Sequence, residues 1–186
     1  NEHDFDENHF KVYTNSCFVG RWQSEVYFKD CENIIRANFR FKPEILTHFS
    51  GLVNEIGKYG NSSISLHIRR NDYINNPLYN KKIGFVGEDY YIQSIKIILA
   101  QVKDPYFFVF SDDQAWAEKF LQDKGIRYSI VKDVDVANST FRDLLGMSIC
   151  NHHIISNSTF SWWGAWLSEK EGLKLAPAKW ANTNEY

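Results

Sequence analysis

The chain of 186 residues has no apolar run near membrane-spanning length; its longest pure one of note is Tyr106-Phe107-Phe108-Val109-Phe110, where a helical span needs about 20 residues. It has no basic excess. Its 21 Lys and Arg stand against 23 Asp and Glu, a formal charge of −2, which argues against nucleic acid or an anionic membrane as a general partner. Its three cysteines, Cys17, Cys31 and Cys150, are scattered and show no C-x-x-C spacing. That fits neither a disulfide framework nor a cysteine zinc site, and suits a reducing compartment. No G-x-G-x-x-G follows a strand and no Walker A loop occurs, so dinucleotide dehydrogenases and P-loop NTPases are poor readings. Repeats and low-complexity tracts are absent. There is no initiator methionine or signal-peptide pattern; the chain opens on Asn1-Glu2-His3-Asp4 and reads as a portion of a longer protein.

What is present can build a core: 44% of residues are hydrophobic and 16% aromatic, in one domain's length of chain with an appended piece. The pattern predicts a helix over 23–41, with Val26, Tyr27, Ile34 and Phe39 as packing residues, and a second over 43–58 opened by Pro43. Strand and helix then alternate: strand 63–68, polar loop 71–87, helix 88–101, strand 106–110, helix 114–124, strand 127–131, helix 140–150, strand 152–156, helix 159–170 and strand 173–176. Such alternation with short connections implies an α/β fold, a Rossmann-like parallel sheet with flanking helices. Residues 1–60 form an N-terminal helical and irregular segment, and 61–186 the Rossmann-like domain.

The most informative stretch is His67-Ile68-Arg69-Arg70-Asn71-Asp72, where an apolar strand runs out. Successive side chains of a strand alternate between faces, so His67 and Arg69 share one side and Arg70 takes the other. Guanidiniums at the carboxyl edge of such a sheet suit a phosphorylated ligand; the plain alternative is that both arginines pair with surface carboxylates. A second stretch, Ser156-Asn157-Ser158-Thr159-Phe160-Ser161-Trp162-Trp163-Gly164, runs from strand end into an aromatic-rich helix. Its first amides and the helix dipole offer a phosphate site without a glycine-rich loop, or Ser158 or Thr159 simply caps the helix. Phe160, Trp163 and Leu167 share a stripe that reads as core, whereas Trp162 lies off it and is a candidate ligand wall.

Among the acidic residues, Asp112-Asp113 closes the strand 106–110 and can cap the next helix, with Ser111 and Gln114 spaced as a capping box. Thr140-x-x-Asp143 matches a capping box too, and Asp143 could instead accept two N–H donors from a guanine edge. Asp133-Val134-Asp135 is a short D-x-D of the kind that arises by chance and is discounted as a metal site. His152-His153 has no metal-ligand spacing. The sequons at Asn61, Asn138 and Asn157 are read as unmodified.

Taken together, His67-x-Arg69-Arg70-x-Asp72, Phe110-Ser111-Asp112-Asp113 and the run from Asp143 through Cys150-Asn151-His152-His153-Ile154-Ile155-Ser156-Asn157-Ser158-Thr159 to Trp163 resemble glycosyltransferase family eleven, the galactoside α-1,2-fucosyltransferases. The segment Val19-Gly20-Arg21-Trp22-Gln23-Ser24-Glu25-Val26-Tyr27-Phe28 is similar to that family's central region. The resemblance implies the donor-binding half of a GT-B-like enzyme, GDP-fucose as donor, a galactose-containing glycan as acceptor, and inverting transfer without a metal or other cofactor. It implies Arg69 on the donor diphosphate, His67 and Asp143 at the guanine, and Ser158 and Thr159 at the phosphates. Arg70, Asp112 and Phe160 complete the expected donor site. Asp72 is a catalytic candidate beside Arg69, either as base for the acceptor hydroxyl or as a carboxylate orienting Arg70.

The family's glycine-rich N-terminal segment has no counterpart here, so a GDP- or glycan-binding module without transfer, or a transferase of another nucleotide sugar, stands as the alternative. The cysteine pattern and the lack of a membrane anchor suggest a bacterial enzyme of the cytoplasm or the inner face of the membrane, peripherally associated. Its rival is a Golgi enzyme anchored through residues outside this chain.

Overall fold

A computed structural model of the chain describes residues 24–132 and 135–182, with Asn15. The chain divides into two compact units, 1–40 with Tyr186, and 41–185. In the first, the region expected as one helix contains two 3-10 turns, Glu25–Tyr27 and Lys29–Cys31, and a short helix α1, Glu32–Asn38; Gln23 lies outside the described residues. Phe28, at φ −132° and ψ 10°, interrupts helical geometry between the turns. Val26, Ile34 and Phe39 are exposed.

The second unit carries α2, Pro43–His48, and α3, Ser50–Gly57, ahead of the sheet. Ile56 of α3 is 2% exposed and packs in the same cluster as Phe108, Phe110 and Met147, within this second unit. Five parallel strands follow: β1, Ser63–Ile68; β2, Tyr106–Ser111; β3, Arg127–Ile130; β4, His152–Ile154; and β5, Lys174–Leu175. Their order is β3-β2-β1-β4-β5. Each crossover is helical, through α6 (Glu88–Gln101), α7 (Gln114–Leu121), α8 (Ser139–Ile149) and α9 (Thr159–Leu167). The strand-helix alternation in the sequence is therefore the architecture, a Rossmann-like α/β sheet.

Alternation along the strands sorts the two core layers. Ile64, Leu66, Ile68, Phe107 and Val109 pack with Tyr91, Ile95 and Ile98 of α6 and with Phe120 and Leu121 of α7. Phe108 and Phe110 face the other way, toward Ile56, Met147 and Cys150. β2 is covered on both faces, which is why its run is almost wholly apolar. Gly146 and Gly164 permit close packing: an added Cβ would meet Phe110 Cε1 at 2.7 Å or Met147 Cβ at 2.7 Å.

Three local expectations change. The expected loop 71–87 contains two helices, α4 (Asn71–Asn75) and α5 (Pro77–Lys82). Asn76 caps α5 by accepting from Leu78 and Tyr79 amides, with Pro77 in its first turn. On α9 the buried face is Ser161, Gly164, Ala165 and Trp166, while Phe160, Trp163 and Leu167 are only half-buried. Trp162 stacks on Trp166 at 6.1 Å, in a cluster with Trp163.

Candidate functional site

The strand order reverses between β1 and β4, because β1 connects onward to β2 on one side while β4 lies on the other. Open α/β sheets form their ligand crevice at the carboxyl ends of the strands flanking such a reversal. Arg69 and Arg70 follow β1 directly, and Ser156 to Ser158 follow the adjacent β4, so both motifs lie at the carboxyl edge of neighbouring strands.

His67 and Ser156 join these strand ends: His67 Nδ1 lies 2.9 Å from Ser156 Oγ. The His67 ring is 5% exposed and stands edge-on to Phe160 at 6.0 Å. Burial, helped by the Arg69 charge, pushes its pKa down to about 3, so the ring is neutral. One residue pair deeper, Ser65 and His153 repeat the contact at 2.9 Å, and burial likewise pushes His153 to about 3.

The strand tip is not simply cationic. Two guanidiniums meet three carboxylates there. Arg69 Nη2 donates to Asp72 Oδ2 at 2.8 Å and its Nε lies 3.4 Å from Asp112 Oδ2. Arg70 Nη1 donates to Asp113 Oδ2 at 2.6 Å, with its Cζ 4.9 Å from the Trp116 ring centre. Asp72 thus holds Arg69 rather than Arg70; it stands in the first turn of α4, whose N-cap is Arg70. Burial works against the Arg69 charge, but the Asp72 hydrogen bond and the Asp112 and Asp72 charges outweigh it and raise its pKa. Its side chain stays 38% exposed, and its Nη1 makes no hydrogen bond among the described residues.

Asp112 accepts from the Arg70 amide at 2.9 Å and the Asn71 amide at 3.1 Å. Its carboxylate therefore fixes the backbone turn that carries both arginines. Burial raises its pKa above the usual carboxylate range, opposed by the Arg70 N–H and the Arg69 charge. Asp113 caps α7, accepting from the Trp116 amide at 3.1 Å. The Ser111–Gln114 capping box does not form; Ser111 Oγ accepts from the Asp113 amide at 3.0 Å instead.

At the second motif, Ser158 is the residue before α9, and its side chain makes no cap. The first-turn amides of this nine-residue helix are thus left uncapped by it, as an anion-binding turn requires. Thr159 is exposed and Phe160 half-buried. Asn157, within its sequon, is 2% exposed and donates from Nδ2 to Gly84 O and Trp180 O, which leaves that nitrogen no room for a glycan.

Asp143 sits in the opening turns of α8, beyond the carboxyl end of β3. Asn138, not Thr140, precedes that helix, and Arg142 engages Asp143 Oδ1 through Nε at 2.8 Å and Nη2 at 2.7 Å. Arg142 is 3% exposed and also donates to Lys132 O at 2.5 Å, pinning the helix start to the end of β3. Asp133 and Val134 of the D-x-D lie outside the described residues, and Asp135 pairs with His48 and Asn138, both at 2.8 Å.

Sequence reasoning missed Tyr73, Asn157, Asp113 as the partner of Arg70, and the buried Arg142.

The family model for glycosyl transferase family 11 matches residues 2–185. An alpha-1,2-colitosyltransferase of Escherichia coli is 37% identical over 169 residues, covering 90% of this chain and 57% of that protein. An O-antigen biosynthesis glycosyltransferase of Escherichia coli, WbnK, is 33% identical over 177 residues, covering 91% of this chain and 57% of that protein. A galactoside alpha-(1,2)-fucosyltransferase 1 of Sus scrofa is 24% identical over 160 residues, 82% of this chain and 43% of that protein. The chain thus spans little more than half the length of either bacterial relative. It belongs to glycosyl transferase family 11.

Proposed function

We propose that this chain is the donor-binding part of an inverting, metal-independent transferase that moves fucose from GDP-fucose to the 2-hydroxyl of a galactoside. The observation that carries this reading is that the Arg69 tip and the uncapped start of α9 follow adjacent strands at the sheet's reversal point. The acceptor hydroxyl attacks the anomeric carbon, the bond from that carbon to the diphosphate oxygen breaks, and the hydroxyl proton passes to a base. Charge grows on the departing GDP, where Arg69 and the α9 amides stabilise it; each such preorganised donor supplies about 3–4 kcal/mol in the transition state. These cationic and amide donors serve the role a metal fills elsewhere. Asp72 acts by orienting Arg69, since one carboxylate oxygen holds that guanidinium and the other is buried without a partner.

Asp143 is proposed to read the guanine. His67, Arg70, Ser158, Thr159 and Phe160 complete the donor site in this reading. Asp112 contributes by holding the arginine turn. The acceptor is a glycan of the cell surface, and the enzyme works in the bacterial cytoplasm or at the inner face of the membrane. Among the described residues no helix is long and apolar enough to cross a membrane.

A second reading keeps the reaction and changes the sugar: the 37% identity to a colitosyltransferase favours the 3-deoxy counterpart of fucose. Transfer assays on the full-length protein with GDP-fucose and GDP-colitose, using lactose as acceptor, separate the readings. The first expects labelled fucose on lactose; transfer from GDP-colitose alone replaces it with the second. GDP binding without any transfer overturns both and leaves a nucleotide-binding module.

A further inference from the structure

Arg69 and the start of α9 belong to different elements, and one side chain spans them. Tyr73 of α4 is 9% exposed, donates from its hydroxyl to Asn157 O at 3.0 Å, and carries the Arg69 guanidinium over its ring at 5.9 Å. Asn157 immediately precedes Ser158, the residue that opens α9. Its own side chain is locked. Nδ2 donates to Gly84 O at 2.9 Å and Trp180 O at 3.1 Å, and two carbonyl partners admit only one orientation of the amide. The partners are themselves tied together: Asn182 donates from its backbone to Lys82 O at 2.9 Å and from its side chain to Asn80 O at 3.2 Å. The turn before α9 is thus held from three directions, by α4, by residues 80–84 and by the strap 180–182.

We infer that Tyr73 and Asn157 are positioning residues that set the spacing between the Arg69 guanidinium and the amides opening α9, and so tune affinity for a diphosphate. This rests on the donor reading above. A ligand that reaches both groups depends on their spacing, whereas one that touches only one of them does not. GDP is the first kind, and GMP, with a single phosphate, is the second.

The test is a titration of the full chain and its Tyr73→Phe variant with GDP and with GMP, alongside thermal unfolding. Tyr73→Phe keeps the ring under Arg69 and deletes only the hydroxyl. The control is Tyr90→Phe, which removes a tyrosine bonded to Ile155 O at 2.6 Å and Leu175 O at 3.0 Å on the neighbouring strands. Loss of one hydrogen bond's contribution corresponds to about fivefold in affinity. Tyr73→Phe should therefore weaken GDP about fivefold and GMP less than twofold. Tyr90→Phe should lower the unfolding midpoint and leave the GDP-to-GMP ratio at the wild-type value. A ratio for Tyr73→Phe equal to wild type, whatever its midpoint, overturns the positioning role and leaves the donor reading standing. A wild-type chain that binds neither nucleotide overturns the donor reading itself.

Discussion

Removing the Asp112 carboxylate tests whether the arginine tip is held in place before any ligand arrives. The carboxylate accepts from two backbone amides at 2.9 and 3.1 Å and lies 3.4 Å from Arg69 Nε. In Asp112→Ala the Asn71 amide, on an exposed residue, turns to water at little cost. The Arg70 amide, on a half-buried residue, has less access to water, and an unsatisfied buried donor costs about 1–3 kcal/mol. Part of this is offset because a desolvated charge disappears, as the raised pKa of Asp112 indicates. The net expectation is a loss of about 2 kcal/mol, or about 4–8 °C in midpoint for a chain of this size. Asp112→Asn keeps one acceptor and loses the charge, so its cost is about 1 kcal/mol or less.

The pH dependence gives a second readout of the same group. Burial makes the folded chain take up a proton at Asp112 before the unfolded chain does. This carboxyl therefore adds stability as pH falls from its raised folded value toward about 4, and withdraws it as pH rises. The stability advantage of wild type over Asp112→Ala should accordingly widen on acidification through that window. Urea unfolding at several pH values measures both quantities. An Asp112→Ala chain within 0.5 kcal/mol of wild type (about the limit for an inconsequential surface change) refutes the clamp.

Arg69→Ala in the full-length enzyme should reduce turnover at least about a hundredfold, since one preorganised donor is worth about 3–4 kcal/mol. Its stability should change by less than about 1 kcal/mol, because the ion pairs it makes are half-exposed; activity within threefold of wild type removes Arg69 from the diphosphate. The neutral pair His67 and His153 should make the fold acid-sensitive. Both titrate at about 3 when folded against about 6.5 unfolded. Stability is fully present above about pH 6.5 and falls below it by up to about 1.4 kcal/mol per pH unit for each ring. Urea midpoints that are flat between pH 7 and 5 would contradict the burial of both.

The sheet was legible because its signals are local and repeated. β1, β2 and α6 fall where the apolar runs and the Tyr91, Ile95, Ile98 stripe put them. α4 and α5 were missed because five- and six-residue helices are too short to show a periodicity, although Asn76-Pro77 carried a capping signal. The helix expected over 23–41 breaks at Phe28, where no glycine or proline marks the interruption. The site divides in the same way. That His67, Arg69 and Ser158 stand on or just beyond adjacent strands follows from strand order, which alternation of strand and helix constrains but does not specify. Which carboxylate holds which arginine depends on contacts 42 and 43 residues apart, such as Arg70 with Asp112 and Asp113, and no spacing rule reaches that far. Asn157, whose sequon was read as unmodified, is a buried junction in the fold, a role no local signal in the sequence announces.

Calorimetric titration of the chain with GDP, UDP and CMP, each with EDTA present, bears most directly on the proposal that the strand tip and helix start together hold a guanosine diphosphate. GDP should bind, more tightly than either competitor and with the same affinity in EDTA as without it. Equal affinity for GDP and UDP, or GDP binding abolished by EDTA, would contradict this picture.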